Sequence, residues 1–122
     1  MIYTKLYASD DGESHFATVK LEFTATEYVF GAPSMQLSPA FAAAQVQLMK
    51  TPAGWSSDWH PSANRSLFFV LSGEWEVTAS DGETRCFAAG SALLAEDTIG
   101  KGHRSRVLAD AVAVMTELKE KR

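Results

Sequence analysis

The apolar residues of this chain are laid down in alternation. A period of two commits a segment to a strand with one buried side. In His15-Phe16-Ala17-Thr18-Val19-Lys20-Leu21-Glu22-Phe23, the residues Ala17, Val19, Leu21 and Phe23 share one face, and Thr18, Lys20 and Glu22 share the other. Residues 45–50 repeat the pattern more weakly. Residues 67–71 are apolar at every position, which reads as a central strand buried on both sides or covered by a partner subunit. Ser72-Gly73 interrupts that run, and Glu74-Trp75-Glu76-Val77-Thr78 alternates cleanly. Asp81-Gly82 then supplies the positive φ of a tight hairpin turn, and Thr84-Arg85-Cys86-Phe87 returns. Residues 91–95, 103–107 and 111–118 complete the series. Helix signals are scarce. Ser38-Pro39 suits the opening of a short turn and residues 40–44 have helical propensity, but the strand pattern resumes at Gln45. Closely spaced strands with turn signals between them imply an all-β barrel or sandwich.

The length of 122 residues corresponds to a single domain, residues 1–122. Acids outnumber bases 15 to 11 and the net charge is −4, which excludes a basic nucleic-acid footprint. No apolar run approaches the roughly 20 residues of a membrane helix, so no membrane partner is expected. Met1-Ile2-Tyr3-Thr4-Lys5 lacks the apolar stretch of a secretory signal, and the single cysteine, Cys86, forbids an internal disulfide. The expected compartment is therefore a reducing cytoplasm. Cys86 itself reads as a small buried hydrophobe rather than a nucleophile.

The chemistry-bearing residues are His15, His60 and His103. His60 and His103 sit in patterned surroundings. Gly54 is followed by five residues and His60, then Ser62, Ser66 and, six residues on, Gly73. Farther along, Gly90 and five residues lead to Glu96-Asp97-Thr98, and a loop ending Gly100-Lys101-Gly102 delivers His103. This arrangement resembles the cupin superfamily of small β-barrels over about residues 43–118. The first cupin motif runs Gly, five residues, His-x-His, three or four residues, Glu, six residues, Gly. The second runs Gly, five residues, Pro-x-Gly, two residues, His. Here His60 and His103 occupy two of the four ligand positions, Ser62 and Ser66 occupy the other two, and the second loop is longer by two residues. The inter-motif hairpin at Asp81-Gly82 is where the family places it.

The resemblance implies a double-stranded β-helix (jelly-roll) barrel with residues 1–40 as N-terminal strands. It implies a central pocket near His60, His103, Ser62 and Ser66. In the family such a pocket often holds a metal on three histidines and a glutamate. A hydroxyl is a poor substitute for imidazole, so the expectation is a non-standard site. It would hold one divalent transition metal (zinc, iron, manganese or nickel) on His60 and His103, with His15 or an outside carboxylate as a third ligand. The alternative is a metal-free pocket. Alternation places His103, Ser105 and Val107 inward, and Arg104 and Arg106 outward. His15 shares a face with Ala17 and Val19, and reads first as a satisfied core residue. Glu74 and Glu76 read as a solvated face. Trp75 reads as core, while Trp55 and Trp59 suit either core or pocket lining. The functional classes left open are a small-molecule enzyme of unassigned reaction, with or without metal, and a non-catalytic ligand-binding or sensor module. A homodimer is expected in either case.

Overall fold

The computed structural model describes residues 1–120. Nine strands are formed and, among the described residues, no helix: β1 (Ile2–Ala8), β2 (Ser14–Lys20), β3 (Thr24–Thr26), β4 (Met35–Leu37), β5 (Ala43–Thr51), β6 (Ser66–Ala79), β7 (Thr84–Ala88), β8 (Ala92–Ala95) and β9 (His103–Leu118). Seven of them make one mixed sheet in the order β2-β1-β8-β6-β9-β5, with β7 paired to β6. The pairing of β1 with β8 is parallel and the others are antiparallel. The end strands β2 and β5 do not pair with each other, so the described strands form an open path and not a hydrogen-bonded ring. Among the described residues no helix is long and apolar enough to cross a membrane.

The two long strands, β6 and β9, organise the molecule. Their register shifts between Val70 and Trp75, where the alternation was interrupted in the sequence. Gly73 sits at the shift with φ +80°, and a side chain there would overlap the Asp110 carbonyl of β9. Only glycine allows this backbone approach. A bulge bends its strand and shifts side chains to the opposite face. Phe68 before the shift and Trp75 and Val77 after it consequently line the same interior, although their numbers differ in parity. What reads in the sequence as two strands separated by a break is one strand with a corner in it. The buried core gathers Leu6, Phe16, Val70, Trp75, Phe87 and Val107 on the inner side of this bend.

Three local expectations are corrected. Strand β2 ends at Lys20, and its buried residues are Ser14 and Phe16, not the Ala17-Val19-Leu21-Phe23 face. Phe16 turns inward against Phe87, with ring centroids 6.4 Å apart, while Phe23 lies beyond the strand and is exposed. Residues 40–42 form no helix, and β5 starts at Ala43. Cys86 is exposed, because the inward position on β7 is taken by its neighbour Phe87. Residual burial and the facing carboxylates of Glu74 and Glu76 push the Cys86 thiol pKa up, which makes it a poorer nucleophile.

Candidate functional site

A cavity of about 460 Å³ opens between the bent strands, a size suited to a small molecule. His60, Ser62, Ser66 and His103 all line it. On β9 the lining residues are His103, Ser105, Met115 and Glu117, all on one face of the strand. Arg104 and Arg106 point outward, where Arg106 pairs with Glu76 and the Arg104 guanidinium lies 5.1 Å from the Trp59 ring centre.

The two histidines are locked together by backbone. His60 N–H donates to the His103 carbonyl and His103 N–H to the His60 carbonyl, each at 3.0 Å. Their ring centres lie 4.7 Å apart. Gly102, just before His103, makes the approach feasible, since a side chain there would overlap the His60 carbonyl. The rings are held in defined tautomers. His60 Nδ1 lies 2.9 Å from the Pro61 carbonyl, which can only accept, so Nδ1 carries the proton. His103 Nδ1 lies 2.6 Å from Asp97 Oδ2 and donates to it. In the neutral form of each ring, Nε2 is then the lone-pair acceptor.

Asp97 is the functional residue that the sequence reading missed. It is 0% exposed. Its Oδ1 accepts from Ser62 Oγ at 2.8 Å, and its backbone carbonyl accepts from the Ser62 N–H at 2.9 Å. Ser62, expected as a stand-in ligand, thus holds the carboxylate that holds His103. Nothing in the local pattern of residues 96–102 separates Asp97 from its polar neighbours. The loop's fold does so: Lys101 N–H donates to the Gly12 carbonyl at 2.9 Å, and Ser14 Oγ donates to the Gly102 carbonyl at 2.7 Å. Those two bonds pin the loop to the β1–β2 turn and tuck Asp97 underneath it.

His15 lies elsewhere. Its Nε2 meets Ser9 Oγ at 2.8 Å and its Nδ1 meets Asp81 Oδ2 at 3.0 Å, so both nitrogens are engaged outside the cavity. It supplies no third ligand beside His60 and His103. Among the described residues no group of three or more His, Cys, Asp or Glu side chains could hold a metal ion. Two imidazoles fall short of the three or four protein ligands of a resident zinc or iron site, and the nearest carboxylate, Asp97, is already committed to Ser62 and His103.

The opposite wall is aromatic. Trp75 packs against Trp55 at 5.5 Å and edge-on against Phe68 at 5.3 Å between ring centres. The Trp75 indole N–H is buried and, among the described residues, without a hydrogen-bond partner. Trp75 is therefore both core and cavity wall, Trp55 lines the cavity, and Trp59 lies outside it.

No family model matches this chain, and no curated protein matches it. Among solved structures it is similar to protein NMB1881 from Neisseria meningitidis. The likeness covers 61% of this chain and 71% of that one, at 22% identity and a TM-score of 0.50. It speaks to the fold alone.

Proposed function

We propose that this chain is a small-molecule-handling domain of the cupin kind, in which His103 acts as a general base and acid on a ligand held in the cavity. The observation that carries this reading is the buried Asp97 carboxylate bonded to His103 Nδ1. A carboxylate behind an imidazole fixes its tautomer, presents Nε2 to the ligand and stabilises the imidazolium formed when a proton is taken. In such a step Nε2 removes a proton from the ligand, the new positive charge faces Asp97, and the same nitrogen returns the proton elsewhere. His60, in ring contact with His103, is placed to hold or hydrogen-bond the same ligand. The motif spacing and the strands bent about one cavity support the jelly-roll barrel reading of the fold.

The ligand set, two imidazoles with the nearby carboxylate already bonded to Ser62 and His103, does not fit a resident metal. Elemental analysis of untagged protein, beside His60→Ala, should find metal well below one equivalent. Near-stoichiometric metal lost in the variant would replace this reading with a two-histidine metal centre.

A second reading, a binding or sensor module without turnover, is favoured by Ser62 and Ser66 standing at ligand positions. One screen separates the two. Small molecules that raise the melting temperature of the wild type are retested on His60→Ala and His103→Ala, then assayed for turnover. Both variants should weaken the same compounds, and turnover should fall roughly a hundredfold or more in His103→Ala. Binding without turnover selects the sensor reading. An effect of only one replacement on binding ends the shared-pocket idea.

We also read the chain as self-associating in a reducing cytoplasm, with Cys86 unpaired. The β3–β4 hairpin pairs with no other strand, and an isolated two-stranded hairpin is marginal in water. Nearby Phe30 is 96% exposed and Leu48 on the end strand β5 is 72% exposed. Sedimentation should show a dimer, and a clean monomer at high concentration would remove this reading.

A further inference from the structure

The cavity has a second pole that the histidines do not explain. Glu117, at the far end of β9 from His103, lines the cavity and is half-buried. In register it lies opposite Gln45 of β5 and Ser66 of β6, whose side chains line the same wall. Among the described residues Glu117 has no ion-pair or hydrogen-bond partner for its carboxylate. A carboxylate in a cleft with no cation beside it costs desolvation energy unless something arrives to pair with it. No lysine or arginine among the described residues lines the cavity. Among the described residues, Arg65 beside Ser66 and Lys119 two positions after Glu117 line a different cavity together with Leu118, and Arg65 is paired with Glu96 at 2.7 Å. Between Glu117 and the histidines the wall is made of Trp55, Phe68 and Trp75. Aromatic faces attract cations, and attract them more strongly where water is excluded.

From this juxtaposition we infer that the cavity takes a cationic ligand: a small amine with an apolar or aromatic body, its ammonium on Glu117 and its reacting or hydrogen-bonding group at His60 and His103. The inference rests on the reading of the cavity as a ligand site and adds the class of ligand. Gln45 and Gln47 supply carbonyl oxygens for the remaining ammonium protons. An anionic isostere of the same size meets an unpaired carboxylate and no compensating cation, so it is rejected.

The test uses three probes with the same ring and similar length: phenethylamine, 2-phenylethanol and 3-phenylpropionate. Binding is followed by tryptophan fluorescence, because Trp55 and Trp75 line the cavity, and by NMR shift perturbation. The wild type should bind phenethylamine at least tenfold more tightly than 2-phenylethanol, with 3-phenylpropionate weakest. Glu117→Gln should erase the amine preference and leave 2-phenylethanol unchanged. A circular dichroism spectrum matching the wild type shows that the variant is folded, and Glu117→Asp should restore part of the preference. Equal binding of amine and carboxylate, an amine preference that survives Glu117→Gln, or no saturable amine binding at millimolar concentration would each overturn the inference. The two proposals fail separately. His103→Ala should keep the amine preference, so a variant series in which the preference persists but His103 proves dispensable for turnover removes the acid–base reading alone.

Discussion

Among the described residues two Ser-His-Asp clusters stand out, and the one built on His103 lines the cavity of about 460 Å³ whereas the one built on His15 does not. In the first, Ser62 holds Asp97, and Asp97 holds His103. In the second, His15 sits between Ser9 and Asp81. The residue types are the same and the His-to-Asp distances are similar, 2.6 Å and 3.0 Å. The wiring differs. In the first cluster the serine binds the carboxylate, so the imidazole keeps a free nitrogen. In the second the serine binds the imidazole, so both nitrogens are spent. Burial differs as well: the Asp97 side chain is 0% exposed and the Asp81 side chain 29%. Composition alone therefore does not mark a catalytic constellation. A spare nitrogen, a buried carboxylate behind it and space in front of it are what make the His103 cluster the candidate.

Removing the two carboxylates should expose the contrast most strongly. Asp97→Ala strands a half-buried serine hydroxyl and a nearly buried histidine, and should cost about 2 kcal/mol of stability. Asp81→Ala breaks a half-exposed pair outside the cavity and the turn bond that Asp81 Oδ1 accepts from the Glu83 N–H, and should cost about 1 kcal/mol. Urea denaturation of both variants measures the difference, and equal costs would collapse the distinction between the clusters. Asp97→Asn keeps the shape and changes the proton positions. An amide oxygen can still accept from Nδ1–H, whereas an amide NH₂ turned toward the ring forces the proton to Nε2. Long-range nitrogen-15 NMR should show His103 as the Nδ1–H tautomer in the wild type and a mixture in this variant, with the tautomer of His15 unmoved.

The backbone around each cluster offers the next test. Gly102 and Gly82 both have positive φ, +72° and +96°. A methyl group at Gly82 meets nothing within 4 Å, so Gly82→Ala should cost only the left-handed strain, about 1 kcal/mol. A methyl group at Gly102 runs into the His60 carbonyl and the Pro61 nitrogen. Gly102→Ala should therefore cost about 2 kcal/mol or more, and should also separate the histidine rings. Chemical denaturation gives the first quantity. Loss of binding for compounds that need both histidines gives the second.

Much of this contrast was hidden in the sequence for physical reasons. Alternation located the second half of β6, where Trp75, Val77 and Ala79 are buried between more exposed neighbours, because one face is buried there and period two is then enforced. Strand β5 is exposed along most of its length and β8 is buried at every position, so neither strand's burial alternates. It placed His103, Ser105 and Val107 inward correctly. It failed at β2, an end strand whose burial is decided by Phe16 meeting Phe87 far along the chain. It also missed the corner in β6, because a bulge changes parity without changing composition. The spacing of Gly54, His60, Gly90 and His103 brought His60, Ser62, Ser66 and His103 forward as a group, and all four line the cavity. Asp97 and Glu117 stayed unread. One becomes special only when a loop folds over it, and the other only when the two ends of β9 are bent toward one space.

The smallest expected effect tests the loop that carries Asp97. Lys101 on that loop is ion-paired with Glu13 of the β1–β2 turn, and Ser80 Oγ donates to the same carboxylate at 2.5 Å. The Lys101 ammonium first, and then the Ser80 hydroxyl, hold the Glu13 pKa below the usual glutamate value. The same pair raises that of Lys101. A carboxyl whose pKa is lower in the folded state stabilises the fold above its unfolded pKa. That contribution is lost as the pH falls from the ordinary carboxylate range through the lowered folded value. For Lys101 the sign is opposite: its contribution is present below the ordinary lysine pKa and is lost as the pH rises through the raised one. Stability should thus be flat near neutrality for this pair and decline at both extremes. Glu13→Gln should flatten the acid limb and the alkaline limb together while barely changing stability in high salt, since the pair is open to solvent. Melting curves across pH, with and without salt, measure this. If Glu13→Gln also alters the His103 tautomer, the ion pair positions the loop and with it the Asp97–His103 bond. If the tautomer is untouched, the bonds from Ser14 and Lys101 N–H hold the loop without it, and the ion pair adds only surface charge complementarity.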